Sequence, residues 1–137
     1  MGSWIAIFLS AFLFGFAHAA NPNASLFSSI AIAVEAGILL SAAYLFTQRL
    51  WMVIGIHFAW NFTQGGIFGI AVSGQEVEGL FQATLEGPAF ITGGEFGAET
   101  SIIAIIICSG AGLFFLWKAR QRGHFTKPFW VRRREPI

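Results

Sequence analysis

Four apolar runs separated by short polar breaks organise the chain. A helix needs about 20 predominantly apolar residues to cross about 30 Å of hydrocarbon. The first run covers residues 4–20 and ends at Asn21-Pro22-Asn23-Ala24-Ser25. Pro22 cannot continue a helix, and Asn23 or Ser25 can cap the next one. The second run, residues 26–47, closes on the polar pair Gln48 and Arg49. The third, residues 50–72, carries Gly65, Gly66 and Gly69 in its looser second half, and the fourth covers residues 100–118. The pattern predicts an all-α polytopic membrane protein of four spans forming a single domain. Residues 73–99, between the last two spans, are acidic and rich in glycine. Phe81, Phe90 and Phe96 predict that this loop packs back on the protein or dips into the interface.

Composition agrees with the pattern. The 137 residues are 55% hydrophobic and 11% charged, against about 25% charged in a soluble domain. Sixteen Phe and five Trp would make a poor water-facing surface in so short a chain. Charge is sorted along the sequence. Arg49 apart, every basic residue (Lys118, Arg120, Arg122, Lys127, Arg132, Arg133 and Arg134) lies in the last twenty positions. Glu76, Glu78, Glu86, Glu95 and Glu99 fall in one stretch without Lys or Arg. The positive-inside rule then orients the bundle in a bacterial-type cytoplasmic membrane. The tail 119–137 and the Arg49 turn are cytoplasmic, the acidic loop is outside, and both termini are cytoplasmic. The basic tail with interleaved aromatics fits anionic lipid headgroups, so the expected partner is the bilayer and not nucleic acid. His124 in that tail reads as solvated. Arg49 and Trp51 read as anchors at the boundary. Cys108 is the one cysteine, which rules out an intrachain disulfide, and it reads as a small buried hydrophobe. Ala-His-Ala before Ala20 has the form of a signal-peptidase site, but residues 1–16 lack the Lys or Arg of a signal peptide.

Four polar residues interrupt the apolar runs: His18, Glu35, His57 and Asn61. Such groups are expensive in a span and usually face a bundle interior or a wet cavity. His57 and Asn61 are four residues apart, so they project from one helix face, and Phe14 and His18 share that spacing. Two helices each presenting a histidine can hold a water, a metal ion or a polarised carbonyl. Imidazole suits proton transfer near neutral pH, and a carboxamide can donate to an oxyanion. The competing reading is structural: buried histidines join helices, and Gly15, Ala17, Gly55 and Ala59 suit close packing. Glu35 is either a general base or, by the blander reading, a hydrogen-bonded structural carboxyl.

Phe14-Gly-Phe-Ala-His18 and His57-Phe-Ala-Trp-Asn61 resemble two signatures of the CAAX-protease and bacteriocin-processing family of intramembrane endopeptidases, Phe-x-x-x-His and His-x-x-x-Asn. The resemblance covers Phe14 to about Glu99 and implies peptide-bond hydrolysis by an activated water within the bilayer. His18 and His57 would orient water and carbonyl, Asn61 would steady the oxyanion, and the substrate would be a membrane-embedded peptide or protein. Phe14 and Glu35 would be supporting residues. The family's earlier Glu-Glu-x-x-x-Arg signature, which supplies the activating glutamate, is not present in this sequence. The expectation is therefore a C-terminal part without activity of its own. The cofactor is either none or a divalent metal such as zinc on His18 and His57, a thin shell because catalytic zinc takes three protein ligands plus water. Two other function classes stay open: a non-catalytic membrane binding, immunity or scaffold protein, and a small transporter subunit using Glu35.

The spacing also sets a geometric test. At ~1.5 Å rise per residue, His18 lies ~20 Å along its helix and His57 only ~10 Å along its own. A shared site requires that this stagger be bridged.

Overall fold

The computed structural model describes residues 1–132; Arg133 and Arg134 of the basic tail lie outside the described residues. Helix α1 spans Ser3–Ala17 and tightens into a 3-10 turn at His18–Ala20. Helix α2 spans Leu26–Thr47, with a π turn at its middle, Ala33–Gly37. Helix α3, Leu50–Asn61, runs into a second π turn, Phe62–Ile67. A short α4, Ala89–Thr92, precedes the long α5, Ile102–Gln121, and α6 covers Phe129–Arg132. Among the described residues the only β pairing is an isolated Val72–Gln75 bridge. The all-α polytopic expectation holds.

The helix starts follow their caps. Ser25 accepts from the Ser28 N–H at 3.0 Å while the Ser28 hydroxyl accepts from the Ser25 N–H at 2.8 Å, a reciprocal capping box. Asn23 does not cap; it takes a left-handed turn conformation at φ 56°. Ser101 caps α5 by accepting from Ala104 N–H.

One of the four expected spans differs from the others in length and apolarity. Among the described residues three helices, Ser3–Ala20, Leu26–Thr47 and Ile102–Gln121, are long and apolar enough to cross a membrane. The predicted third span, 50–72, is not one of them. Its helical part stops at Ile67, with Gly69 at φ +63° beyond it, and it carries His57, Asn61, Thr63 and Gln64. The polar groups that make it interesting are the ones that lower its apolarity.

Small residues bring the helices together. The buried face of α1 is Ser3, Ile7, Ala11 and Gly15, one residue per turn. A Cβ on Gly15 would run into the Ser29 carbonyl and Ala33, and one on Gly37 would run into Ala11. This seam seats α1 on the π turn of α2. The second half of α2 packs along α5, where Gly112 faces Leu39. Gly55, by contrast, faces open space, and Ala17 and Ala59 are exposed, so the packing reading holds only for Gly15. Outward positions such as Phe8, Leu13, Ile106 and Ile107 are exposed apolar side chains, as a lipid-facing surface requires.

Helix α3 leans on the second half of α2. Between α1 and α3 runs a groove of about 610 Å³, lined among others by Ser10, Phe14, Tyr44, Val53, Ile54 and His57. The chain after α5 folds across the end of this groove. Ser3 N–H donates to the Thr126 carbonyl at 3.0 Å, and Thr126 N–H donates to Ser3 Oγ at 2.9 Å. The Arg122 guanidinium stacks 4.1 Å from the Phe46 ring. His124 Nδ1–H donates to the Leu45 carbonyl at 2.8 Å, so this histidine is half-buried and not solvated. Both ends of the described chain therefore sit at one end of the bundle.

Candidate functional site

His18 occupies the point where α1 tightens. Its Nδ1 is 2.7 Å from the Phe14 carbonyl oxygen. A carbonyl only accepts, so Nδ1 carries the proton and, in the neutral ring, Nε2 is the basic nitrogen. The bond folds the imidazole back along its helix onto the Phe14 ring, with centroids 5.0 Å apart. On α3, Asn61 Nδ2 lies 3.3 Å from His57 Nε2, one turn away. The amide N–H donates there, which leaves the proton of neutral His57 on Nδ1.

Phe14 bridges the stagger between the two histidines. It stands one turn below His18, and the His57 ring meets it edge-on with centroids 5.4 Å apart. The two imidazoles thus pack on one aromatic ring, although they lie at different distances along their helices. With Asn61, Glu35 and Trp60 they line a cavity of about 30 Å³. A water needs on the order of 10–15 Å³ of such space, so roughly two fit. The structure brings together every candidate from the sequence: Phe14, His18, Glu35, His57 and Asn61.

Glu35 reaches the cavity from the π turn of α2, is buried, and is hydrogen-bonded to the thiol of Cys108 on α5. Cys108 is buried as expected, but it lines a polar site instead of filling an apolar core.

Glu99, which lines this cavity, and Gln64, which holds it, were not among those expectations. Glu99 was read only as one charge of the acidic loop, yet it is 2% exposed and faces the cavity. The loop turns sharply at Ser73-Gly74, where a Cβ on Gly74 would strike the Pro22 carbonyl, and it is tied down by Asn21 Nδ2–H donating to the Ser73 carbonyl at 2.9 Å. Gly74 N–H donates to the Phe96 carbonyl, and Phe96 is buried. Phe81 and Phe90 instead point outward, so one of the three loop phenylalanines packs back. This folding delivers Glu99 just before α5. Its Oε1 accepts from the Ser73 hydroxyl at 2.6 Å and its Oε2 from Gln64 Nε2 at 2.8 Å. Burial pushes the Glu99 carboxyl above the usual range, opposed by the Ser73 and Gln64 hydrogen bonds and by His18 nearby. Gln64, in the second π turn, also donates to the Ala71 carbonyl at 2.5 Å. A sequence signal for Gln64 existed: it is seven residues after His57 and three after Asn61, on the same helix face. Glu99 had no local signal.

The donor set does not fit a zinc shell. Among the described residues no group of three or more His, Cys, Asp or Glu side chains is arranged to hold a metal ion. His57 has its basic Nε2 facing the Asn61 amide.

Neither a curated relative nor a solved structure matches the chain. One family model does, described as type II CAAX prenyl endopeptidase Rce1-like, over residues 1–63. That segment contains α1, α2 and α3 and both histidine motifs, ends two residues after Asn61, and leaves Glu99 outside. The motifs, the helices that carry them and this match agree: through residues 1–63 the chain is similar to the Rce1-like type II CAAX prenyl endopeptidases.

Proposed function

We propose that this protein carries a hydrolytic site for peptide bonds inside the membrane, with His18, His57 and Asn61 as its reacting-atom contacts. The observation that carries the reading is the convergence of these three side chains on one cavity of about 30 Å³, sized for water. The basic Nε2 of His18 orients the attacking water. The carbonyl oxygen of the substrate sits toward His57 and Asn61, and the Asn61 amide donates to the oxyanion as it forms. A membrane-embedded peptide or protein segment enters along the groove between α1 and α3, which meets the cavity at Phe14 and His57. The reading places both termini on the cytoplasmic face of a bacterial-type cytoplasmic membrane. It is supported by the Ser3–Thr126 pairing at one end of the bundle and by the basic residues beyond α5.

The test uses the full chain in liposomes with a mixed library of quenched-fluorescent peptides. Cleavage is expected, and Asn61→Ala should lower it ~100-fold or more, the usual effect of losing one oxyanion donor. His57→Ala should lower it at least as far with the helical circular-dichroism signal retained. Undiminished cleavage by His57→Ala would remove the reading.

A further inference from the structure

The hydrolytic reading leaves one role unfilled. An attacking water must lose a proton; Asn61 cannot take it, His18 Nδ1 and His57 Nε2 are engaged, and the free His18 Nε2 is the group that orients the water. Two carboxyls reach the cavity, Glu35 and Glu99. Two negative charges in so small a space repel.

The hydrogen bonds distinguish them. Glu35 is bonded to a thiol, a weak donor. Glu99 has one oxygen on a hydroxyl at 2.6 Å and the other on an amide N–H at 2.8 Å, both of which favour the charged form. Those two donors come from different parts of the chain, Gln64 beyond Asn61 and Ser73 in the loop turn, so they fix the carboxylate in place. The Ser73 N–H also donates to this carboxylate, and three donors leave it at least one unused lone-pair direction.

We propose that Glu99 is the catalytic carboxylate of this site, taking the proton of the attacking water. The proposal rests on the hydrolytic reading above. The water oxygen bonds to the carbonyl carbon while one of its protons moves to a Glu99 oxygen. The carbonyl π pair moves to oxygen, held by the Asn61 amide. Collapse re-forms the carbonyl and breaks the C–N bond as Glu99 returns the proton to the leaving nitrogen. The products are a carboxylic acid and an amine, and Glu99 ends as a carboxylate. Burial, which pushes this carboxyl up, brings its basicity nearer to neutral pH, where a general base works best. The titratable groups facing it are His18 on α1, Glu35 on α2, His57 on α3 and Cys108 on α5.

The experiment measures cleavage of the same peptide library against pH for full-chain variants in liposomes. Glu99→Gln should lose at least ~100-fold and lose the acidic limb of the profile. Glu99→Asp should keep that limb at reduced rate, and the exposed loop variant Glu95→Gln should match the unsubstituted chain. A Glu99→Gln chain that cleaves with its acidic limb intact overturns the assignment and leaves the hydrolytic reading standing. Transfer of the limb to Glu35, seen as its loss in Glu35→Gln alone, also overturns it. If Glu99→Gln loses its helical signal, Glu99→Asp decides: an unchanged profile or a vanished limb in that variant counts against Glu99. No cleavage by the unsubstituted chain removes the hydrolytic reading and this proposal together.

Discussion

Phe14 and Gln64 do the positioning that spacing alone leaves open. Phe14 supplies a backbone carbonyl to His18 and a ring to both imidazoles, so one residue fixes a tautomer and closes the ~10 Å stagger that rise per residue implies. Gln64 holds Glu99 from the same helix face that presents His57 and Asn61. Its effect has a definite sign. A donor to a carboxylate stabilises the charged form and lowers the pKa. Gln64→Leu removes that donor, so the Glu99 carboxyl rises further. The proton acceptor is then lost at a higher pH, and the acidic limb of the cleavage profile should move upward. An unmoved limb would show that the 2.8 Å contact does not tune the site. The residues legible from sequence were those whose partners are one turn away: Phe14 with His18, His57 with Asn61. Glu99 was not legible, because its burial depends on Gln64 and Ser73, 35 and 26 positions earlier, and nothing in its own neighbourhood distinguishes it from the exposed Glu95.

At the scale of elements, two seams decide whether the site exists. One is the small-residue contact between α1 and the π turn of α2, which sets the distance from His18 to Glu35. The other is the contact of α3 with α2, which sets His57. Gly15→Leu introduces a side chain against the Ser29 carbonyl and Ala33. Overpacking of this kind costs about 1–3 kcal/mol. It should lower the thermal unfolding midpoint in detergent and reduce cleavage together. Gly55→Leu, which meets open space, should do neither. Equal behaviour of the two would contradict the seam. Helix positions were readable from hydropathy and caps, as Ser25 and the long apolar runs illustrate. The π turns were not readable, since they insert a residue without changing the apolar pattern, and both sit where the site is built. The loop's return onto the protein was signalled by its phenylalanines, but its tie to Asn21 and Pro22 is a tertiary contact that composition does not encode.

For the whole molecule, the pairing of Ser3 with Thr126 puts the start of α1 and the exit of α5 at the same end, and the acidic loop caps the opposite end of α1 through Asn21. This predicts a sidedness that impermeant maleimide can read in sealed vesicles. Cysteines introduced as Arg120→Cys and Glu78→Cys, both at exposed positions, should label from opposite faces. Labelling of both from one face would contradict the arrangement. The buried Cys108 should contribute little background.

The groove between α1 and α3 has a pharmacological consequence. It is about 610 Å³, within the range of drug-binding sites, and its walls belong to helices that lipid surrounds. A compound lodged there meets His57 from the acyl-chain side. Its relevant dose is the amount dissolved in the bilayer, so potency within a chemical series should track lipid partitioning and fall as more lipid is added at constant total compound.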